Sequence, residues 1–187
     1  MLMTTDPGAA LEFRERHGKV IYKSISGIRS VVSSLGPEHL ERLDDLAWCP
    51  TMLQEYVPGR DFRVHVVGAE TFACEIICDA YDYRYAGRQG ANVEIKACAL
   101  GGDVLQKCKT LAAALSLPLA GLDLRCTPDG VWFCFEVNPS PGFTFYQSET
   151  GQPIAEAIAR LLATAYPPAE KMPPLGVPAF TSSRACL

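Results

Sequence analysis

The chain has 187 residues, 48% of them hydrophobic, and 17 basic against 21 acidic side chains give it a net charge of −4. That suffices for one good-sized core or for two small lobes sharing a cleft. No stretch approaches the roughly 18 apolar residues of a membrane span, the N-terminus shows no secretory pattern, and no basic run suits nucleic acid, so a cytoplasmic protein without membrane or nucleic-acid partners is expected. Eight cysteines form no Cys-x-x-Cys pair. Without an export signal they are expected as reduced, small hydrophobes rather than disulfides or zinc ligands.

In chain order, Asp6-Pro7 reads as an N-cap with a first-turn proline, opening a helix that Gly18 closes. A strand over 19–23 follows, then a Ser/Gly loop and a second strand through Val31 and Val32. A helix is expected over 37–46, and strands over 52–57, 61–67 and 70–78, separated by Pro58-Gly59 and Gly68-Ala69. A strand over 93–100 and a helix over 103–115 lead into a hairpin, and an amphipathic helix over 153–166 ends the ordered part. The proline-rich 167–187 reads as a disordered tail. The fold class is α+β, with antiparallel sheets flanked by helices.

The hairpin carries most of the chemistry. Gly121-Leu122-Asp123-Leu124-Arg125 and Phe135-Glu136-Val137-Asn138-Pro139-Ser140-Pro141-Gly142 are strand-like runs joined through the turn residues Pro128-Asp129-Gly130. Matching apolar to apolar sets Leu124 against Phe133 and Leu122 against Phe135. Asp123 then falls opposite Cys134 and diagonal to Glu136, about 7–8 Å away at the backbone. Asn138 points the same way. Three oxygen-bearing side chains on one face suit Mg²⁺, which shares its coordination with water and phosphate. The alternative is a merely polar solvent face.

Lys23 ends an apolar strand just before Ser26, Gly27 and Arg29. A lysine beside backbone N–H groups freed by a glycine suits phosphate oxygens, although strand-ending lysines usually just reach solvent. The strand ending at Glu55-Tyr56-Val57 runs into a short connection, whose free backbone groups can read the edge of a flat heterocycle. Arg125 shares the face of Asp123, where it either contacts phosphate or neutralises the carboxylates. Phe143, Phe145 and Tyr146 either line a substrate pocket or pack in the core.

Gly-Leu-Asp-Leu-Arg followed by Phe-Glu-Val-Asn-Pro-Ser-Pro-Gly-Phe resembles the metal-binding end of the ATP-grasp superfamily, over about residues 5–166. The nearer resemblance is to ribosomal-protein glutamate ligases, glutathione synthetases and the ligases that cross-link graspetide (microviridin-type) peptides. It implies two α+β lobes gripping ATP, with about 1–57 as the nucleotide-loop lobe and 58–166 as the metal lobe. The N-terminal domain usual in the family is expected to be missing. By the same resemblance Asp123, Glu136 and Asn138 hold one or two Mg²⁺ ions (or Mn²⁺), and Lys23 with Ser26, Gly27 and Arg29 contacts the phosphates. The usual glycine-rich loop is reduced here to a single glycine with Arg29. Glu55, Tyr56 and Val57 form the adenine hinge, and Asp61 lies near the ribose. Arg63 stands near the transferring phosphoryl group, or forms an ion pair, and Arg84 approaches ATP or the acceptor.

The implied enzyme is an ATP-dependent carboxylate–amine ligase working through an acyl phosphate, with a small-molecule or peptide acceptor. A non-catalytic ATP-binding module and a small-molecule kinase remain as alternatives, and self-association is open.

Overall fold

The protein, a computed structural model, is described over residues 1–25, 31–78, 83 and 92–165. Four strands, β1 (Leu2–Thr4), β2 (Val20–Ser24), β3 (Ser33–Ser34) and β4 (Thr51–Glu55), form an antiparallel sheet in the order β1-β4-β2-β3. Five more, β5 (Arg60–Val67), β6 (Glu70–Cys78), β7 (Val93–Ala97), β8 (Leu119–Cys126) and β9 (Trp132–Asn138), form a second in the order β7-β6-β5-β8-β9. Every strand pair is antiparallel, as the sequence implied. Among the described residues no helix is long and apolar enough to cross a membrane.

Local chemistry explains the first helix, α1 (Pro7–His17). The Asp6 carboxylate accepts from Gly8 N at 2.8 Å, proline fills the first turn, and Gly18 N donates to the Arg14 carbonyl. Ala10 and Phe13 of this helix bury against Val20 and Leu53 of the small sheet and Leu35 just after β3. The region expected as one helix over 37–46 is instead a single turn, α2 (Pro37–Leu40), followed by a 3₁₀ segment (Leu43–Trp48). Neither piece buries a residue, so no apolar stripe holds a longer helix together.

Alternation along the large sheet sorts its two faces. Phe62, Val64, Val66, Ala120, Leu122 and Leu124 pack against Val104, Cys108 and Ala112 of α3 (Gly102–Ala114). On the opposite face Val67, Phe72, Cys74 and Ile76 lie under Tyr146 of α4 (Thr144–Thr150) and Ile154 and Ala157 of α5 (Ile154–Ala165). Cys74 and Cys108 act as core hydrophobes, and burial lifts their thiols to about 12 and about 11.

The hairpin register differs from the expected one. Cys126 pairs with Trp132, Arg125 with Phe133 and Leu124 with Cys134; a bulge then leaves Phe135 unpaired, so Asp123 faces Glu136, Leu122 faces Val137 and Gly121 faces Asn138. Asp123 is therefore directly opposite Glu136, not diagonal to it. The phenylalanines do not join the leucines: Phe133 and Phe135 are each 40% exposed and stack on one another, with the Arg125 guanidinium 5.4 Å from the Phe135 ring. A cation over an aromatic face satisfies those rings without burying them, which removes the apolar-matching rule that favoured the other register. Two elements have no counterpart in the sequence reading, β1 and α4. The strand expected through Val31 and Val32 forms two residues later.

Candidate functional site

A cleft of about 530 Å³ lies between the two sheets. The small sheet contributes Ile21 and Lys23 from β2 and Met52 and Gln54 from β4; the large sheet contributes Asp61, Asp123, Arg125 and Glu136, with Tyr83 beside them. Each pair of residues two apart on a strand reaches the cleft because side chains alternate. The bulge at Phe135 lets the consecutive residues Phe135 and Glu136 both line the cleft.

Behind Asp123 stands a buried ionic layer. Arg63, 4% exposed, donates from Nη1 to Asp123 Oδ1 at 2.6 Å, and its Nε has no hydrogen-bond partner among the described residues. Burial works against the guanidinium's charge, but the attraction of Asp123 and Tyr146 outweighs it and the pKa moves up. The Tyr146 ring lies 5.4 Å from the guanidinium, and the Tyr146 hydroxyl hydrogen-bonds that of Tyr83. Burial holds both phenols protonated, moving their pKa values upward. Gly121 supplies the floor: a β-carbon there would sit 2.2 Å from Arg63 Nη2 and 2.6 Å from Pro141 Cβ.

His65 completes this layer. It is 1% exposed, packs edge-on to Tyr146, and donates from Nε2 to the Gly142 carbonyl at 3.3 Å, tying β5 to the loop after Asn138. Burial, and then the neighbouring Arg63 charge, push its pKa down to about 4. The folded value lies below the unfolded one, so the unfolded chain binds more protons between about pH 6.5 and 4. Stability is thus full above about pH 6.5 and falls as pH drops toward 4, by up to about 3 kcal/mol. Urea unfolding at pH 7 and pH 4.5 should show that loss, and a folded His65→Gln variant should lack this share of it.

The remaining candidates fall into three groups. Asn138 lies on the same face as Glu136, and its Oδ1 accepts from Ser140 N at 2.8 Å. Asp61 receives both Arg125 Nε and Nη2, at 2.6 and 2.7 Å. Glu55 meets His17 at 3.2 Å, Tyr56 N donates to the Lys19 carbonyl, and the Val57 carbonyl accepts from Arg125; none of these three residues, expected as the adenine hinge, lines the cleft. Ser26, Gly27, Arg29 and Arg84 lie outside the described residues, as does the 167–187 tail. Gln54, Tyr83 and His65 are not among the site residues expected from the sequence. For His65 a signal existed, since Asp61, Arg63 and His65 occupy one face of one strand.

The cleft offers oxygen donors for a hard cation. Asp123 and Glu136 are directly opposed across β8 and β9, where two like charges repel unless a cation lies between or beside them. Arg63 donates to Oδ1 of Asp123 from behind, and both carboxylates of the pair line the cleft. Among the described residues no three His, Cys, Asp or Glu side chains close into a cage. Mg²⁺ needs none, because one or two carboxylates plus phosphate oxygens complete its shell. The donor set therefore fits a phosphate-bridging divalent ion.

No family model matches the chain. The D-alanine–D-alanine ligase of Geobacillus thermodenitrificans is 27% identical over 159 residues, covering 71% of this chain and 44% of that ligase. That of a Synechococcus strain is 33% identical over 101 residues, covering 49% and 31%. Among solved structures, the ATP-grasp ligase PsnB complexed with a phosphomimetic variant of minimal precursor, Mg and ADP matches with a TM-score of 0.74 at 27% identity, over 87% of this chain and 51% of PsnB. The macrocyclase MdnC of Microcystis aeruginosa, bound with precursor peptide MdnA, matches with a TM-score of 0.73 at 22% identity, over 88% and 56%, a likeness of fold alone. The fold is that of the ATP-grasp ligases. Within that class the chain resembles both the D-alanine–D-alanine ligases and the ligases that modify precursor peptides. It spans between 31% and 56% of the length of these relatives.

Proposed function

We propose that this chain forms the nucleotide- and cation-binding part of an ATP-dependent carboxylate–amine ligase acting in the cytoplasm. The observation that carries the reading is the opposed pair Asp123 and Glu136, facing Lys23 of the other sheet across one cleft. In the reaction a substrate carboxylate oxygen attacks the γ-phosphorus of ATP, ADP leaves, and an acyl phosphate forms. An amine then attacks the acyl carbon, the bond to phosphate breaks, and the amine gives up a proton. A bound Mg²⁺ would neutralise phosphate charge, with Asp123 and Glu136 as its ligands and Asn138 beside them. Lys23 offers a positive charge to the phosphates from the opposite wall, and the sheets orient the reactants. The acceptor is an amino acid or a peptide, by analogy with the relatives.

A second reading, nucleotide binding without turnover, draws support from Arg63 and Arg125. Both are held by aspartates, Arg63 by Asp123 and Arg125 by Asp61.

Calorimetry of Mg·ATP binding tests the proposal, comparing the chain with its Asp123→Asn/Glu136→Gln variant. The unmutated chain should bind, and the folded variant should bind at least tenfold more weakly. A folded, unmutated chain that ignores Mg·ATP sinks the reading. ADP release that requires both a carboxylate and an amine separates ligation from binding alone.

A further inference from the structure

The chain crosses from the small sheet to the large one through Tyr56–Gly59, between the end of β4 at Glu55 and the start of β5 at Arg60. These four residues join the two walls of the cleft. On the small-sheet side, Tyr56 N donates to the Lys19 carbonyl at 2.9 Å and Lys19 Nζ lies 3.9 Å from the Tyr56 ring centroid. On the large-sheet side, Arg125 holds the same segment. Its Nη1 donates to the Val57 carbonyl at 2.8 Å, while Nε and Nη2 grip both oxygens of Asp61 at 2.6 and 2.7 Å.

The guanidinium also lies 5.7 Å from the Tyr56 ring and 5.4 Å from that of Phe135. Tyr56 is thus contacted by two cations, Lys19 just before β2 and Arg125 of β8. Gly59 closes the arrangement with φ +154°, and a β-carbon there would come within 2.3 Å of the Cys126 carbonyl oxygen and 3.0 Å of Arg125 Cγ. The connection is pressed onto the backbone that carries Arg125, and a planar fork suits such multi-point holding as a lysine does not.

All three guanidinium nitrogens of Arg125 are engaged, and its side chain is only 13% exposed. We propose that Arg125 is a positioning residue, a clasp that fixes the Tyr56–Gly59 connection and with it the spacing of the two sheets across the cleft. Phosphate is held by other groups. The clasp is a property of the chain's own geometry; its effect on nucleotide affinity rests on the ligase reading above.

The test uses the full chain with Arg125→Met, Arg125→Lys and Tyr56→Leu. Spin labels on genetically encoded ketone side chains at the exposed positions Glu38 and Lys107 report the distance between the sheets by pulsed electron resonance. All three variants should broaden that distance distribution, and Tyr56→Leu keeps the test open if an Arg125 variant does not fold. Calorimetry should show Arg125→Met weakening Mg·ATP and adenosine by the same factor, about tenfold, with Arg125→Lys failing to restore either. An unchanged distribution in folded variants overturns the clasp. So does a loss confined to Mg·ATP and restored by lysine, which marks a direct phosphate contact. If the unmutated chain binds neither Mg·ATP nor adenosine yet the variants broaden the distribution, the ligase reading falls and the clasp stands.

Discussion

Asp123→Ala is expected to lower folding stability by about 3 kcal/mol, well beyond what loss of a ligand-binding group alone would cause. The reason lies behind the cleft. Arg63 is buried, its Nε already lacks a partner among the described residues, and Asp123 is the carboxylate that answers its charge at 2.6 Å. Removing one member of a buried pair leaves the other uncompensated, at a cost of about 3–5 kcal/mol; the low end applies because the Asp123 side chain is itself 35% exposed. Asp123→Asn keeps an acceptor for Nη1 and should cost less, about 1 kcal/mol. Glu136→Gln, on the exposed strand β9, should stay within about 0.5 kcal/mol of the parent. Urea unfolding of the three variants gives the comparison, and an Asp123→Ala chain as stable as its parent would show that the pair is not structural. Mg·ATP affinity, by contrast, should fall in all three. A stability loss confined to position 123 with a binding loss at both positions separates the two roles of Asp123.

The second large effect is expected at Gly121. An alanine β-carbon would meet Arg63 Nη2 at 2.2 Å, Arg63 Cζ at 2.6 Å and Pro141 Cβ at 2.6 Å. A guanidinium is often able to swing away from such a clash. Here Tyr146 stands over it, Asp123 holds it, and the proline carbon on the other side belongs to a rigid ring. Gly121→Ala should therefore cost about 3 kcal/mol, the upper end of overpacking penalties. That corresponds to a fall in Tm of roughly 6–12 °C for a chain of this size. Calorimetric melting checks it. A shift below about 2 °C would mean that Arg63 relocates freely, in which case the ionic layer is not what orients Asp123.

Much of the fold was legible locally. Asp6, Pro7 and Gly18 bracket α1 through one side-chain cap, one fixed φ and one chain reversal, all properties of adjacent residues. The strand over 70–78 matches β6 residue for residue, because its apolar alternation is bounded by turn residues. β1 left no such mark: three residues become a strand only because β4, some fifty residues away, pairs with them. α4 begins at Thr144 after Phe143, which provides no side-chain cap, so the usual start signal is missing. The hairpin register failed for a different reason. Matching phenylalanine to leucine assumes that large apolar rings seek the core, whereas Phe135 lines the cleft beside Arg125 and Phe133, equally exposed, stacks on it.

The candidate site divides in the same way. From the sequence alone one knows that Asp61, Arg63, Asp123 and Arg125 exist, and that each pair, two apart on a strand, shares a face. Strand alternation is a local rule, so it carries that much. Which arginine serves which aspartate is decided by tertiary structure, since it depends on the register between β5 and β8, strands about sixty residues apart. That register places Asp61 opposite Arg125 and Arg63 opposite Asp123. It gives one arginine to the connection between the sheets and the other to the carboxylate at the floor of the cleft. A shift of two residues would keep every face but set Asp61 against Asp123 or Arg63 against Arg125, so like-charge repulsion joins the packing of the whole sheet against α3 and α5 in opposing it.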